Sequence, residues 1–325
     1  MLRYGGRMTD ASNPAVAPEA VEAVLRAELA HGDAMIGTIV PILRHLVASD
    51  DHSVFSEEIV ARTRAMFEDL ARQLLVLRSE ALGEGNPRDL DPDRLAELVH
   101  ILTADNALLA HVHALALEWQ LTERLHGRIA LDPVLSPLLQ ALIASSDAVT
   151  AGLAMNLLAS QARYVQAQRR MQLVLAELPV DLVHGAALAL RTQAGAEDAA
   201  AAEAEARIRQ TFDESRSRLG LLSRLVMGMG GGAMAALSVE HAGVAMFLTA
   251  LSIATGQDRS LAVLATNESQ LARLALGLSA AGLKPQTVEE QFLALHPEVA
   301  LPIGFEQLGP DRAAAILAHG AGYPA

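Results

Sequence analysis

Apolar residues recur every three or four positions along this chain, in runs that stop at a small residue and an aspartate before a longer run begins. The stretches PILRHLVASDD (41–51), LVHILTADN (98–106) and PLLQALIASSD (137–147) share that grammar. A period near 3.6 reads as amphipathic helix, and no alternating β-branched run competes with it. The first helix is expected from Pro18 to about Ala30, with Glu19 and Glu22 at its dipole-favoured start and His31-Gly32-Asp33 as punctuation. Asp33 then caps a second helix to about Ala48 that tolerates or kinks at Pro41. After the turn Ser49-Asp50-Asp51, a helix over 54–82 places Phe55, Ile59, Met66, Leu70, Leu74 and Leu77 near one face. The loop GEGNPRDLDP (83–92) separates it from helices over 92–103 and 106–126, with Asp105 as the cap between them. Further helices follow over 133–144, 147–174 and 178–191.

The three similar stretches, with FLTALSIATGQD (247–258) as a looser fourth, align on Leu43, Leu98, Leu139 and Leu248. Intervals of 55 and 41 residues separate the first three, and 41–51 matches 137–147 at six of eleven positions. Helix-pair repeats of the HEAT and armadillo kind have periods of about 40–47 residues, because one pair cannot bury its apolar face alone. The pattern therefore predicts an all-α protein of stacked antiparallel helix pairs in a HEAT-like helical-repeat array. Its expected organisation is a disordered N-terminus over 1–16, a helical-repeat region over 17–191, a helical linker over 192–212 and a C-terminal helical region over 213–325. The linker expectation rests on the alanine and glutamate of AGAEDAAAAEAEARIRQ, both good helix formers. In the C-terminal region, Asn267 is the expected cap and Gly282 the expected stop of short helices.

These helix-pair copies, with FLTALSIATGQDRSLAVL followed by LARLALGLSAAGL, resemble a family of uncharacterised HEAT-like helical proteins from alphaproteobacteria over about residues 40–300. The resemblance implies an α-helical interaction scaffold and carries over no functional residues.

Composition narrows the chemistry. The chain has no cysteine, which excludes disulfides, thiolate metal sites and cysteine nucleophiles and fits a reducing cytoplasm. The opening MLRYGGRMTD lacks the apolar stretch of a secretory signal, and Met8 is an alternative start. A net charge of −13 argues against nucleic-acid binding, which depends on cationic side chains. Residues 219–256 are strongly apolar, but Glu240 and His241 interrupt them, so a buried core segment is expected in place of a membrane insertion.

Glu97-x-x-His100 and Glu123-x-x-His126 carry the spacing of di-iron bundles. A chain turning near Asp105 would hold the two histidines about 25 Å apart, too far for one metal. His111 and His113 point about 200° apart on a helix. The four are read as polar surface with one or two core histidines. GMGGGAMAAL (228–237) lacks the phosphate-loop lysine and a preceding strand, so it reads as a hinge. With no hydrolase, zinc-protease or EF-hand pattern, neither an enzyme nor a cofactor is expected.

One surface stands out. QARYVQAQRRMQ (161–172) gathers Arg163, Tyr164, Arg169 and Arg170 in an otherwise acidic chain, and arginine forks suit carboxylate and phosphate oxygens. These four are the candidate partner-binding residues, for an acidic or phosphorylated protein, and a homo-oligomer is compatible with the pattern. The expected role is a non-catalytic cytoplasmic scaffold or regulator that binds another protein. The alternative is a small-molecule sensor with an apolar pocket between helices, near the glycine-rich segment.

Overall fold

The computed structural model describes residues 18–48, 57–83, 90–195 and 197–320. The N-terminus, the Ser49-Asp50-Asp51 turn with Phe55, and most of the 83–92 loop lie outside the described residues. Within them the chain is all-α: α1 Pro18–Ala48, α2 Glu57–Leu82, α3 Pro92–Ala104, α4 Asn106–Ile129, α5 Pro137–Ile143, α6 Ala148–Arg169, α7 Val180–Ala194, α8 Ala199–Thr211, α9 Arg218–Gly228, α10 Val239–Thr255, α11 Arg259–Ala265, α12 Leu271–Ala280, α13 Pro285–Leu295 and α14 Pro310–Leu317.

Sequence grammar sets most helix starts. Asp105 accepts hydrogen bonds from the Ala107 and Leu108 amides, Asp147 from Val149 and Thr150, and Asp198 from Ala201. Each satisfies donors that the first turn leaves without an intrahelical partner. The His31-Gly32-Asp33 punctuation does not end a helix. It lies inside α1, which runs 31 residues, or about 46 Å, without a break. Gly32 is there for close approach: Gln270 Nε2 donates to the Gly32 carbonyl at 2.6 Å, and a Cβ on Gly32 would lie 2.8 Å from Gln270 Oε1. Asp33, inside α1 and not at its start, pairs with buried Arg273.

Two large cores form, and α1 and α4 run through both. α1 gives Val21, Leu25 and Leu29 to one core, and Val40, Leu43, Leu46 and Val47 to the other. α4 gives Ala114, Leu121 and Leu125 to the first, and Leu108, Val112, Leu115 and Trp119 to the second. The first core is otherwise built from α5, part of α6 and α9–α14, the second mainly from α2, α3, α7 and α8. A helix buried on nearly every side, as α4 is from Leu108 to Ala116, needs no solvated face, which explains why its pattern there is apolar except at the buried His111 and His113.

Two features differ from a row of antiparallel pairs. α3 and α4 meet at a 95° bend. The 192–212 segment spans no gap: α8 buries Ala200, Ala201, Ala204 and Ile208, mostly in the second core, and Asp198 at its start pairs with Arg78 of α2 at 2.6 Å. Among the described residues no single helix is long and apolar enough to cross a membrane.

Candidate functional site

α6 has two unlike sides. Its buried side presents Ala154, Leu157, Ser160, Gln161, Tyr164, Val165, Ala167 and Gln168. Its outer side, recurring every three or four residues, presents Val149, Gly152, Met155, Asn156 and Ala159 and then Arg163, Gln166 and Arg170, all exposed. Val149 is 68% exposed and Met155 51%, a loss of burial that the fold alone does not explain. The helix from Ala148 to Arg169 contains no acid. Its outer face is therefore apolar over three turns and cationic over the last two.

Of the four residues expected to bind a partner, Arg163, Arg169 and Arg170 lie on this surface. Tyr164 does not, which corrects the sequence expectation. One residue on from Arg163 turns the side chain by 100°, and Tyr164 is buried with its ring 3.6 Å from the Arg218 guanidinium. Burial, the largest influence, pushes its hydroxyl well above the ordinary tyrosine value.

The arginine end of α6 is held from below. Buried Arg62 of α2 donates from Nη1 to the Gln168 carbonyl at 2.5 Å and stacks 5.5 Å over Trp119, which places a cation at the electronegative end of the helix. Asp69 accepts from the Leu173 amide, and Gln73 donates to the Leu173 carbonyl, fixing the turn after Arg170. The Asp69 carboxyl is raised, chiefly by burial, against the pull of these hydrogen bonds.

Beneath the face lies a buried ionic network with no counterpart in the sequence reading. Glu118 of α4 accepts from Arg218 Nη1 at 2.9 Å and from Arg259 Nη1 and Nη2 at 2.8 and 3.0 Å. Arg218 Nε donates to Glu177 at 2.7 Å, and Arg259 Nε to the Thr249 hydroxyl at 3.1 Å. Two acids and two bases give zero net charge, as burial requires. Burial alone would raise Glu118, but the two arginines outweigh it and bring it down to about 2. On Glu177 burial wins over Arg218, and its pKa is raised. A signal was present: Glu118 falls on the apolar stripe Leu115–Glu118–Thr122–Leu125, and Arg218 on the stripe Arg218–Leu221–Leu222–Leu225.

The histidines divide by burial. His100 and His126 are exposed, whereas His111 and His113 are buried. His111 Nε2 lies 2.9 Å from the Glu177 carbonyl oxygen. Among the described residues, no three His, Asp or Glu side chains gather to hold a metal. The glycine-rich stretch forms the end of α9 and a 3-10 helix over Gly230–Leu237, with Gly228 and Gly230–Gly232 exposed. An apolar cavity lies elsewhere, against the Gly243 kink in α10 and beside Thr122, Ser136 and Gln161. At about 20 Å³ it has room for a water molecule.

Fold and site define an all-α protein with a two-part outer helix face. No family model, curated protein or solved structure matches the chain.

Proposed function

We propose that this chain is a non-catalytic helical scaffold or regulator, and that it binds a protein partner along the outer face of α6. The observation that carries the reading is the unpartnered face itself: Val149 and Met155 exposed in an apolar half, Arg163, Arg169 and Arg170 in a cationic half, and no acid in the helix. An amphipathic helix whose apolar stripe continues into an acidic or phosphorylated end is the matching partner, read by apolar anchors at helical spacing and closed by arginine forks. The net charge of −13 makes this cationic end locally selective, since other surfaces of the chain repel an acidic partner.

For the finer reading of a HEAT-like array, the support is the packing of α5 on α6 and of α7 on α8, each pair joined by a short connection. The right angle at Asp105 sits outside that pattern.

The test is a comparative pull-down from the native cells, with the wild-type chain against Met155→Asp and against Arg163→Glu/Arg170→Glu. A partner retained by the wild type and lost from both variants supports the reading. Identical captured sets from all three would defeat it.

A further inference from the structure

A second charged feature lies on α4, away from the buried network. Gln120, Arg124 and Arg128 follow one another at four-residue spacing and so share one side of the helix. Gln120 and Arg124, with Leu117 and Leu121, form one wall of a cavity of about 300 Å³ whose other wall is Val263, Thr266, Asn267 and Glu268 from the α11–α12 connection. The walls are largely polar, carrying the Gln120 and Asn267 amides and the Arg124 guanidinium, while the Thr266 hydroxyl is taken up by the Val263 carbonyl.

Neither Arg124 nor Arg128 makes a hydrogen bond or an ion pair among the described residues. That contrasts with Arg78, Arg218, Arg259, Arg273 and Arg312, each of which closes on a carboxylate. Glu268 lines the cavity and acts on Arg124 through its charge without closing a pair. Burial first and then the like charge of Arg128 lower the Arg124 pKa, and the Glu268 charge opposes them in part. Behind the Thr266 wall lies His296, 4% exposed, whose ring bonds to the Thr266 backbone and whose Nε2 has no hydrogen-bond partner. Burial, followed by the nearby Arg124 charge, lowers its pKa.

We infer that this cavity is a binding site for a small oxyanion, a carboxylate or phosphate group, held by Arg124 in its lining with Arg128 one turn beyond, and contacted by Gln120 and Asn267. Two guanidinium groups on successive turns present forked donors to a planar or tetrahedral oxyanion, and the anion relieves their mutual repulsion. The site is separate from the α6 face and independent of the role proposed for it.

Isothermal titration of the full chain with inorganic phosphate and, separately, with succinate tests this, at low ionic strength and against matched sodium chloride. The expected result is saturable one-to-one binding of at least one of them, weakened about tenfold or more in Arg124→Gln/Arg128→Gln and unchanged in Arg94→Gln, at an exposed arginine on α3. Phosphate-only or succinate-only binding identifies which oxyanion fits. Arg124→Lys, which keeps the charge and loses the fork, should weaken binding less than Arg124→Gln, a readout available if the double variant does not fold. Absence of saturable binding by both anions, or binding indifferent to Arg124 and Arg128, would overturn the assignment.

Discussion

The middle of α4 and its C-terminal end carry opposite solutions to the placing of charge. At Glu118 one carboxylate is enclosed by two arginines from distant parts of the chain, and every member has a partner. Two turns on, Arg124 lines a cavity, and among the described residues neither it nor Arg128 one turn further closes on a carboxylate. Burial accounts for the difference. A charge taken from water must be matched by the fold itself, whereas a charge left at a wet cavity can be matched by something that comes and goes. The middle of the helix is thus built for structure and the end for binding.

The sharpest way to break this comparison is to remove the Glu118 charge. Glu118→Gln keeps the side-chain shape but leaves Arg218 and Arg259 without the carboxylate they share. Removing one partner of a buried ionic group costs about 3–5 kcal/mol, because the remaining charges stay in a medium that solvates them poorly. Urea unfolding at neutral pH should show a midpoint lowered to match. A loss under about 1 kcal/mol would mean that the network is dispensable, and the contrast with Arg124 would have no basis.

Acid sharpens the same contrast with a smaller effect. Burial lowers His111 and His113 to about 4, with the Glu177 carbonyl pulling His111 the other way. In the unfolded chain both take up protons near pH 6.5, while the folded chain keeps them neutral down to about 4. Stability from this source is complete above pH 6.5 and drains away as the pH falls toward 4, by roughly 3 kcal/mol per histidine. Glu118 acts lower: its folded pKa of about 2 is depressed, so its contribution persists above the ordinary carboxylate range and is lost as the pH falls toward 2. Glu177, being raised, opposes it. His113→Leu should therefore reduce the slope of unfolding free energy against pH between 6.5 and 4, leaving the part carried by His111 and His296. A slope identical to the wild type would show that these imidazoles titrate in the folded protein.

Much of this architecture was open to reading in the chain, and the failures share one cause. Caps such as Asp105 and Asp147 act within a turn, so local spacing reveals them. Gly32 and Asp33 look like a helix break locally, but their role is set by Gln270 and Arg273, which approach across nearly the whole sequence. Tyr164 is adjacent to Arg163 in sequence, but the 100° step between them carries one outward and the other under Arg218. Of the network, Glu118 and Arg218 betray themselves by sitting on apolar stripes. Their mutual pairing, across 100 residues, and that of Glu118 with Arg259, across 141, exist only once the fold brings α4, α9 and α11 together.

The smallest expected effect bears most directly on the cavity end of α4. Arg124→Gln should leave stability within about 0.5 kcal/mol of the wild type, since the substitution breaks no ion pair. Its sign is informative as well. Arg124 and Arg128 stand one turn apart, a like-charge spacing that costs a helix a few tenths of a kcal/mol, so removing one of them should raise the urea midpoint slightly. Adding phosphate should then stabilise the wild type and leave the variant unmoved, because only a folded site holds the anion. A destabilisation of Arg124→Gln by more than about 1 kcal/mol would place this arginine beside Arg218 as a structural charge, and the division of α4 into a structural middle and a binding end would fail.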